Sequence, residues 1–90
     1  MSLEKTFKAL ADPKRREILD LLKAGDRTVG ELGEAFDMTG ATLSYHLNLL
    51  KEADLVIDSK VGNFRVYSLR TSVFEEILRY FMTFKERNDE

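Results

Sequence analysis

The chain of 90 residues contains no cysteine, and its only histidine is His46. The absence of cysteine excludes disulfide bonds, thiol catalysis and metal sites built from thiolates. Because a metal site needs three or four suitable ligands, a single histidine is a poor start for one. The sequence also lacks a phosphate-binding glycine loop, a nucleophile motif and a catalytic cluster of histidine and acids. These absences predict a protein that is not an enzyme and that carries no metal or other cofactor.

Long apolar runs are missing as well. No stretch approaches the about 20 apolar residues of a membrane span, and residues 1–11 carry Glu4, Lys5 and Lys8 where a signal peptide would be apolar. We therefore expect no membrane span and a cytoplasmic location, which the lack of cysteine fits. A chain of this length forms one domain, residues 1–90, that buries only about 60–65% of its unfolded surface. That small core makes oligomerisation an expectation.

Excess positive charge is also absent, since the net charge is −2 and the pI is near 5.4. This acidity argues mildly against nucleic acid, because proteins that bind phosphates are usually basic. The charges are unevenly distributed, however. Residues 38–51 contain no acid, and neither do residues 59–71, which include Lys60 and Arg65. Two acid-free segments suit two phosphate-facing surfaces, although chance explains either one alone.

Helical spacing and capping residues divide the first half of the chain into four helices. Leu3, Phe7 and Leu10 mark the first helix. Asp12-Pro13 resembles the start of a second helix, with Asp as N-cap and Pro in the first turn. Residues 28–31 form a capping box that opens a third helix. Residues 37–40 interrupt the pattern, and a fourth helix is predicted over residues 40–53.

The period then changes from helical to two. Residues 55–57 and 64–69 predict two strands, joined by a hairpin turn at residues 61–63. Residues 72–75 form a second capping box, which predicts a last helix to about Arg87. The fold class is therefore mainly α with a small antiparallel β-hairpin. It is a winged helix-turn-helix of five helices with the wing between the fourth and fifth.

The fourth helix has one apolar side, formed by Leu43, Leu47 and Leu50, which we expect in the core. A solvated polar surface is the simple interpretation of its other side. DNA binding is the alternative, because that side carries no acid and its hydroxyl and amide groups suit base edges and phosphates. The candidate DNA-binding residues of this helix and its start are Thr39, Gly40, Ala41, Thr42, Ser44, Tyr45, Asn48 and Lys51.

The hairpin supplies three further DNA-binding candidates, Lys60, Asn63 and Arg65. Exposed charges on strands also protect sheet edges, which is the alternative for Arg65. His46 lies three residues after Leu43, so we expect it to be packed or bonded to the wing. Arg16 can pair with Asp20 one helical turn away.

Three segments resemble the ArsR family of winged-helix repressors, and in particular a branch of autorepressors. They are FKALADPKRREILDLL at residues 7–22, LSYHLNLLKEADLV at residues 43–56 and KVGNFRVYSL at residues 60–69. The resemblance implies that the second segment holds the recognition helix, that the third is the wing, and that the protein represses transcription. One departure is Asp54, where the family usually has glycine. Because Asp tolerates a left-handed conformation, the turn can form.

The predicted last helix has two neighbouring apolar stripes, more than a domain of this size can cover. The surplus predicts a homodimer interface together with the first helix. The candidate interface residues are Leu3, Phe7, Phe74, Ile77, Leu78, Phe81 and Phe84.

These observations predict a dimeric repressor that binds a pseudo-palindromic site on double-stranded DNA. Two alternatives stay open: a winged helix used for protein–protein contact, and a repressor that responds to an effector or a regulatory protein. Many members of the family sense metals. Here residues 29–33 lack the cysteines of the thiolate sensors, and the last helix lacks histidine, so the resemblance predicts no metal site.

Overall fold

A computed structural model describes residues 2–86. Five helices and three short strands follow one another in the order that the winged-helix prediction requires, with one added strand. The elements are α1 (Leu3–Leu10), α2 (Pro13–Lys23), β1 (Arg27–Thr28), α3 (Val29–Ala35), α4 (Gly40–Glu52), β2 (Val56–Val61), β3 (Phe64–Leu69) and α5 (Thr71–Lys85).

The starts of α2 and α3 are fixed by the caps that the sequence predicts. Asp12 accepts hydrogen bonds from the amides of Lys14 (2.7 Å) and Arg15 (3.3 Å), and Pro13 occupies the first turn. Thr28 and Glu31 form a reciprocal capping box with bonds of 2.8 and 3.1 Å. Because each cap satisfies amides that have no partner within the helix, the helix boundaries follow from local sequence.

The start of α5 differs from the prediction. The helix begins at Thr71, with Arg70 as N-cap and no side-chain capping bond, so Ser72 lies inside the helix and forms no capping box. The Arg70 amide instead donates to the Leu55 carbonyl at 3.0 Å, which ties the end of the sheet to the segment after α4. A long-range bond thus determines this boundary. Arg87, the predicted end of the helix, lies outside the described residues.

The sheet has three antiparallel strands in the order β1-β3-β2. β2 and β3 form the predicted hairpin, in which Val61 pairs with Phe64 across Gly62 and Asn63. Gly62 has a φ of +62°, the left-handed value that the first position of such a two-residue turn requires. β1 was not predicted, because two residues are too short to show a period.

The core lies where α1, α2 and α4 meet the sheet and α5. Leu43, Leu47 and Leu50 are all buried, as the stripe on the fourth helix predicts. The remaining buried apolar residues are Ala9, Ile18, Leu19, Leu22, Leu32, Ala53, Leu55, Val56, Tyr67, Val73 and Ile77. Within the described residues, no helix has the length and apolar character needed to cross a membrane.

Asp54 follows the end of α4 in the left-handed conformation, with a φ of +60°. Its amide donates to the Lys51 carbonyl (2.9 Å), and the Leu55 amide donates to the Leu50 carbonyl (3.0 Å). These two bonds are the Schellman pattern of a helix C-terminus. The prediction that aspartate replaces the usual glycine in a left-handed turn is therefore confirmed.

Candidate nucleic-acid interface

Helix α4 begins at a threonine cap that organises two of the candidate residues. The Thr39 hydroxyl accepts a hydrogen bond from the Thr42 amide (3.1 Å) and donates one to the Thr42 hydroxyl (3.0 Å). Neither side chain contributes to the core, and both are exposed. The first turn of α4 therefore presents a fixed pair of hydroxyl groups at its surface.

The outer side of α4 is a continuous exposed surface, which we call the α4 face. All eight candidates from Thr39 to Lys51 are exposed, and Tyr45 has 59% of its surface accessible. The buried residues of the helix are Leu43, His46, Leu47 and Leu50. The α4 face consists of Thr39, Gly40, Ala41, Thr42, Ser44, Tyr45, Asn48 and Lys51.

His46 holds α4 against the helix pair below it. It is only 7% exposed, and its Nδ1 lies 3.2 Å from a guanidinium nitrogen of Arg15. A guanidinium group only donates hydrogen bonds, so Nδ1 accepts and a neutral ring carries its proton on Nε2. The prediction of a packed histidine is confirmed, and its partner is Arg15 on α2 and not the wing.

The partner of Arg16 differs from the one that the sequence predicts. Its guanidinium donates to the Leu10 carbonyl at 2.7 Å, while Asp20 pairs with Lys23 at 3.0 Å. The Arg16–Asp20 pair therefore does not form. The carbonyl at the end of α1 is a better acceptor for Arg16, because it has no partner within its own helix.

The wing brings its three candidates together at its tip. Lys60 and Arg65 lie directly opposite each other in the β2–β3 register, and Asn63 lies in the turn. All three are exposed. Residues directly opposite in an antiparallel pair point to the same side of the sheet. The two cations thus share one side of the hairpin.

Asp58 joins the wing to α4 through a contact that the sequence did not predict. Its two carboxylate oxygens lie 3.1 Å from Nζ of Lys51 and 2.6 Å from a guanidinium nitrogen of Arg65. Two of the candidate phosphate contacts therefore share one carboxylate. The register of the hairpin and the end of α4 must both be known before this contact is visible, so no local motif indicates it.

The candidate dimer residues divide into two groups. Phe7, Leu78, Phe81 and Phe84 are 40–63% exposed. The rings of Phe7 and Phe81 contact each other in a tilted arrangement at a centroid distance of 5.9 Å, so α1 and α5 share one exposed apolar surface. Tyr80, which the list of candidates omitted, adds to it, because its ring lies 5.7 Å from that of Phe81 and 5.2 Å from that of Phe84.

The other candidates are more covered. Leu3 is half-buried, and Phe74 packs against the core. Ile77 is only 8% exposed and belongs to the core of its own chain, so it offers little surface to a partner. Val73 and Ile77 are the buried residues of α5, and they close the core at that part of the helix.

The part of the chain that the structure describes contains no group of three or more histidine, cysteine or acidic side chains that could hold a metal ion. Val29, Gly30, Leu32 and Gly33, where the resemblance would place thiolate ligands, lie on α3. Their side chains offer no donor atoms to a metal.

The comparisons with known proteins agree with this geometry. A sequence profile described as a helix-turn-helix domain matches residues 10–58. The chain is 41% identical over 87 residues to the transcriptional repressor SdpR of Bacillus subtilis (strain 168), which covers 97% of both chains. The chain belongs to the ArsR family of winged helix-turn-helix regulators.

Two further relatives lie in the same family. The arsenical resistance operon repressor of Bacillus subtilis (strain 168) is 43% identical over 67 residues, which cover 73% of this chain and 64% of the repressor. The structure of an ArsR-like transcriptional regulator from Rhodococcus sp. RHA1 superposes with a TM-score of 0.85 at 28% identity, over 92% of this chain and 78% of that one. The chain is thus a DNA-binding transcriptional regulator, and its relatives are regulators and not enzymes.

Proposed function

We propose that this regulator acts in the cytoplasm as a homodimeric repressor, which binds a pseudo-palindromic operator through the α4 face and the wing. Residues 1–90 serve as a single domain for DNA binding and dimerisation. The chain requires no metal or other cofactor for this function. Two copies of α4 read two half-sites, as the symmetry of a dimer demands.

The observation that carries the proposal is the exposed, acid-free α4 face, which is fixed from behind by buried leucines. The helix has 13 residues, so at a rise of 1.5 Å it is about 20 Å long, enough to lie in a major groove about 12 Å wide. Gly40 and Ala41 are small and let the helix start approach the bases. Thr42, Ser44, Tyr45 and Asn48 supply donors and acceptors beyond that point.

The wing supports the same proposal through its charge. Lys60 is exposed and pairs with no carboxylate within residues 2–86. Arg65 lies opposite it, and Asn63 follows in the turn. A hairpin that carries such groups at its tip suits the sugar–phosphate backbone beside the major groove. These contacts position the protein and carry no base information.

Substitution of the α4 face tests the DNA-binding part of the proposal. The double variant Thr42→Ala/Tyr45→Ala keeps the core, because neither side chain is buried, and loses about 1–3 kcal/mol of operator affinity for each base contact removed. The matched control is Lys14→Ala/Glu17→Ala, which removes an exposed ion pair of α2 (3.4 Å) and likewise leaves the net charge unchanged. The assay is a titration of an operator duplex, selected from a random pool by the wild-type protein. Unchanged operator affinity in the α4 variant contradicts the proposal.

The exposed apolar surface of α1 and α5 supports the homodimer. A monomeric soluble protein seldom leaves so many large apolar side chains exposed on one surface. Phe81→Glu places a charge at its centre and gives monomers by sedimentation, whereas Ser72→Glu adds the same charge to α5 outside that surface and leaves the dimer intact. A wild-type protein that sediments as a monomer at micromolar concentration contradicts this part.

A further inference from the structure

Asp58 holds two cations of the proposed interface at once. One carboxylate oxygen lies 3.1 Å from Nζ of Lys51, at the end of α4, and the other lies 2.6 Å from the guanidinium of Arg65, on the wing. The Asp58 side chain is only 12% exposed, while those of Lys51 and Arg65 are 41% and 53% exposed. The cations therefore remain accessible to a phosphate, and the acid lies behind them.

The sheet fixes Asp58 in this position. The residue pairs with Tyr67 in the β2–β3 register, and Tyr67 is only 6% exposed. Burial raises the pKa of the Tyr67 hydroxyl, and the nearby charge of Asp58 raises it further. The aspartate therefore pairs with a buried residue of the core.

Asp58 is charged at neutral pH. The hydrogen bond from Lys51 lowers its pKa; burial acts in the opposite direction, and Arg65 adds to the lowering, so that the pKa stays below the ordinary carboxyl value. The carboxylate thus compensates positive charge on both Lys51 and Arg65 wherever DNA binding is measured near pH 7.

A cation that is already paired is a weaker phosphate ligand. To bind a phosphate, Lys51 or Arg65 must leave the Asp58 carboxylate or share itself between two anions. Non-operator DNA depends on phosphate contacts for essentially all of its binding energy, whereas operator DNA also gains base contacts from α4. A carboxylate behind the cations therefore removes a larger fraction of the binding energy of non-operator DNA than of operator DNA.

We propose that Asp58 determines the specificity of this interface: by holding Lys51 and Arg65 on one carboxylate, it limits binding to non-operator DNA and fixes the wing relative to α4. The inference rests on the proposed DNA-binding function. Asp58 is a positioning residue, because it acts on DNA through the two cations. The fixed position of the wing relative to α4 favours the operator complex, which needs one alignment of the protein on the DNA. It does not stabilise non-operator complexes, which have no single alignment.

The test compares Asp58→Asn with Asp54→Asn. Both variants remove one acid next to α4, but Asp54 is exposed and forms no ion pair among residues 2–86. Asparagine also tolerates its left-handed φ of +60°. Each variant is titrated against the selected operator duplex and a scrambled duplex at several salt concentrations, and circular dichroism confirms that it is folded.

The expected result for Asp58→Asn is a stronger affinity for the scrambled duplex. One released cation that binds a phosphate steepens the salt slope by about 0.9, which corresponds to up to about tenfold in affinity near 0.1 M salt. Operator affinity changes by less than about twofold. The ratio of operator affinity to scrambled-duplex affinity therefore falls by nearly the same factor as the scrambled-duplex affinity rises. Asp54→Asn changes both affinities alike and leaves discrimination intact. An equal gain for both duplexes with Asp58→Asn, a loss for both, or no change overturns the proposal.

A second pair of variants tests the same point if Asp58→Asn does not fold. Lys60→Gln removes a cation without a carboxylate partner and flattens the salt slope by about 0.9. Lys51→Gln removes a cation that Asp58 already compensates, so it flattens the slope by clearly less. Equal effects of the two variants overturn the proposal.

The failure of this inference is distinguishable from the failure of the proposed function. If the wild-type protein selects no duplex from a random pool, sequence-specific DNA binding itself is wrong, and with it the role of Asp58. If the wild type discriminates and Asp58→Asn behaves like Asp54→Asn, only the role of Asp58 is wrong.

Discussion

Arg15 is the polar centre of the helical core, and its removal is predicted to be the most damaging change outside the apolar residues. The side chain is only 8% exposed. Its guanidinium donates to the carbonyls of Ala9 (2.8 Å) and Lys8 (3.1 Å) and to Nδ1 of His46 (3.2 Å), and it lies 3.9 Å from the Asp12 carboxylate. One cation thus closes the end of α1 and anchors α4 on α2.

The size of the effect follows from these contacts. A hydrogen bond to a charged group contributes about 1.5–3 kcal/mol, and an acceptor left without a partner in a buried site costs about 1–3 kcal/mol. Arg15→Ala removes three such bonds, and water can reach part of the vacated space, so we expect a loss of about 3 kcal/mol. A domain of this length has a free energy of unfolding of about 5–13 kcal/mol. The variant therefore loses a substantial fraction of its stability.

The assay is urea unfolding at one fixed protomer concentration, because the stability of a dimer depends on concentration. The matched control is Arg16→Ala, which removes the neighbouring arginine. Arg16 is exposed and makes one hydrogen bond to the Leu10 carbonyl, so its loss costs about 1 kcal/mol or less. Equal losses in the two variants, or a loss below about 1 kcal/mol for Arg15→Ala, would refute this account of the core.

Three further predictions concern the helix ends and metal binding. Asp54→Gly keeps or raises stability, whereas Asp54→Val costs about 1–2 kcal/mol in urea unfolding, because the φ of +60° disfavours a β-branched residue. The Thr28 amide donates to Glu31 and lowers its pKa. A lowered carboxyl pKa stabilises the fold above the unfolded value and loses this effect as the pH falls through the folded value. Thermal unfolding should therefore show Glu31→Gln to be less stable than the wild type at neutral pH, and the difference should shrink as the pH falls from the ordinary carboxyl pKa of about 4.3 through the lower pKa of the folded state. Isothermal titration with zinc or nickel should detect no stoichiometric site; a tight site that alters DNA affinity would contradict the prediction.

The fold was largely predictable because its boundaries are local. Asp12-Pro13, the capping box at residues 28–31 and the two-residue turn after Val61 each act through neighbouring backbone groups, and the structure confirms all three. β1 and the start of α5 were not predictable in the same way. β1 exists through its pairing with β3, and α5 begins where the Arg70 amide meets the Leu55 carbonyl. Both depend on partners far away in the chain.

The candidate interface was predictable as a set of exposed residues but not as a set of contacts. The spacing of Leu43, Leu47 and Leu50 determines which side of α4 faces outward, so the α4 face follows from period alone. The same reasoning treated Lys51 and Arg65 as separate cations. Their common partner, Asp58, depends on the hairpin register and on the position of the α4 end, which periodicity does not specify. The burial of Ile77 in its own chain was unpredictable for a related reason, since a stripe shows that a residue is apolar and not which neighbour covers it.

The acidic net charge of the chain is compatible with DNA binding because the acids lie outside the α4 face. None of the eight residues of that face is acidic, and the acids nearest in sequence, Asp37 and Glu52, lie just outside its two ends. Asp58 also lies outside that face but contacts its last residue, Lys51, and it is held behind two cations with only 12% of its side chain exposed. Electrostatic attraction of phosphates depends on the charges within about 10 Å at moderate salt. The sign of the local surface therefore matters more than the total of −2. A single acid placed against the cations can instead determine how strongly they bind DNA of the wrong sequence.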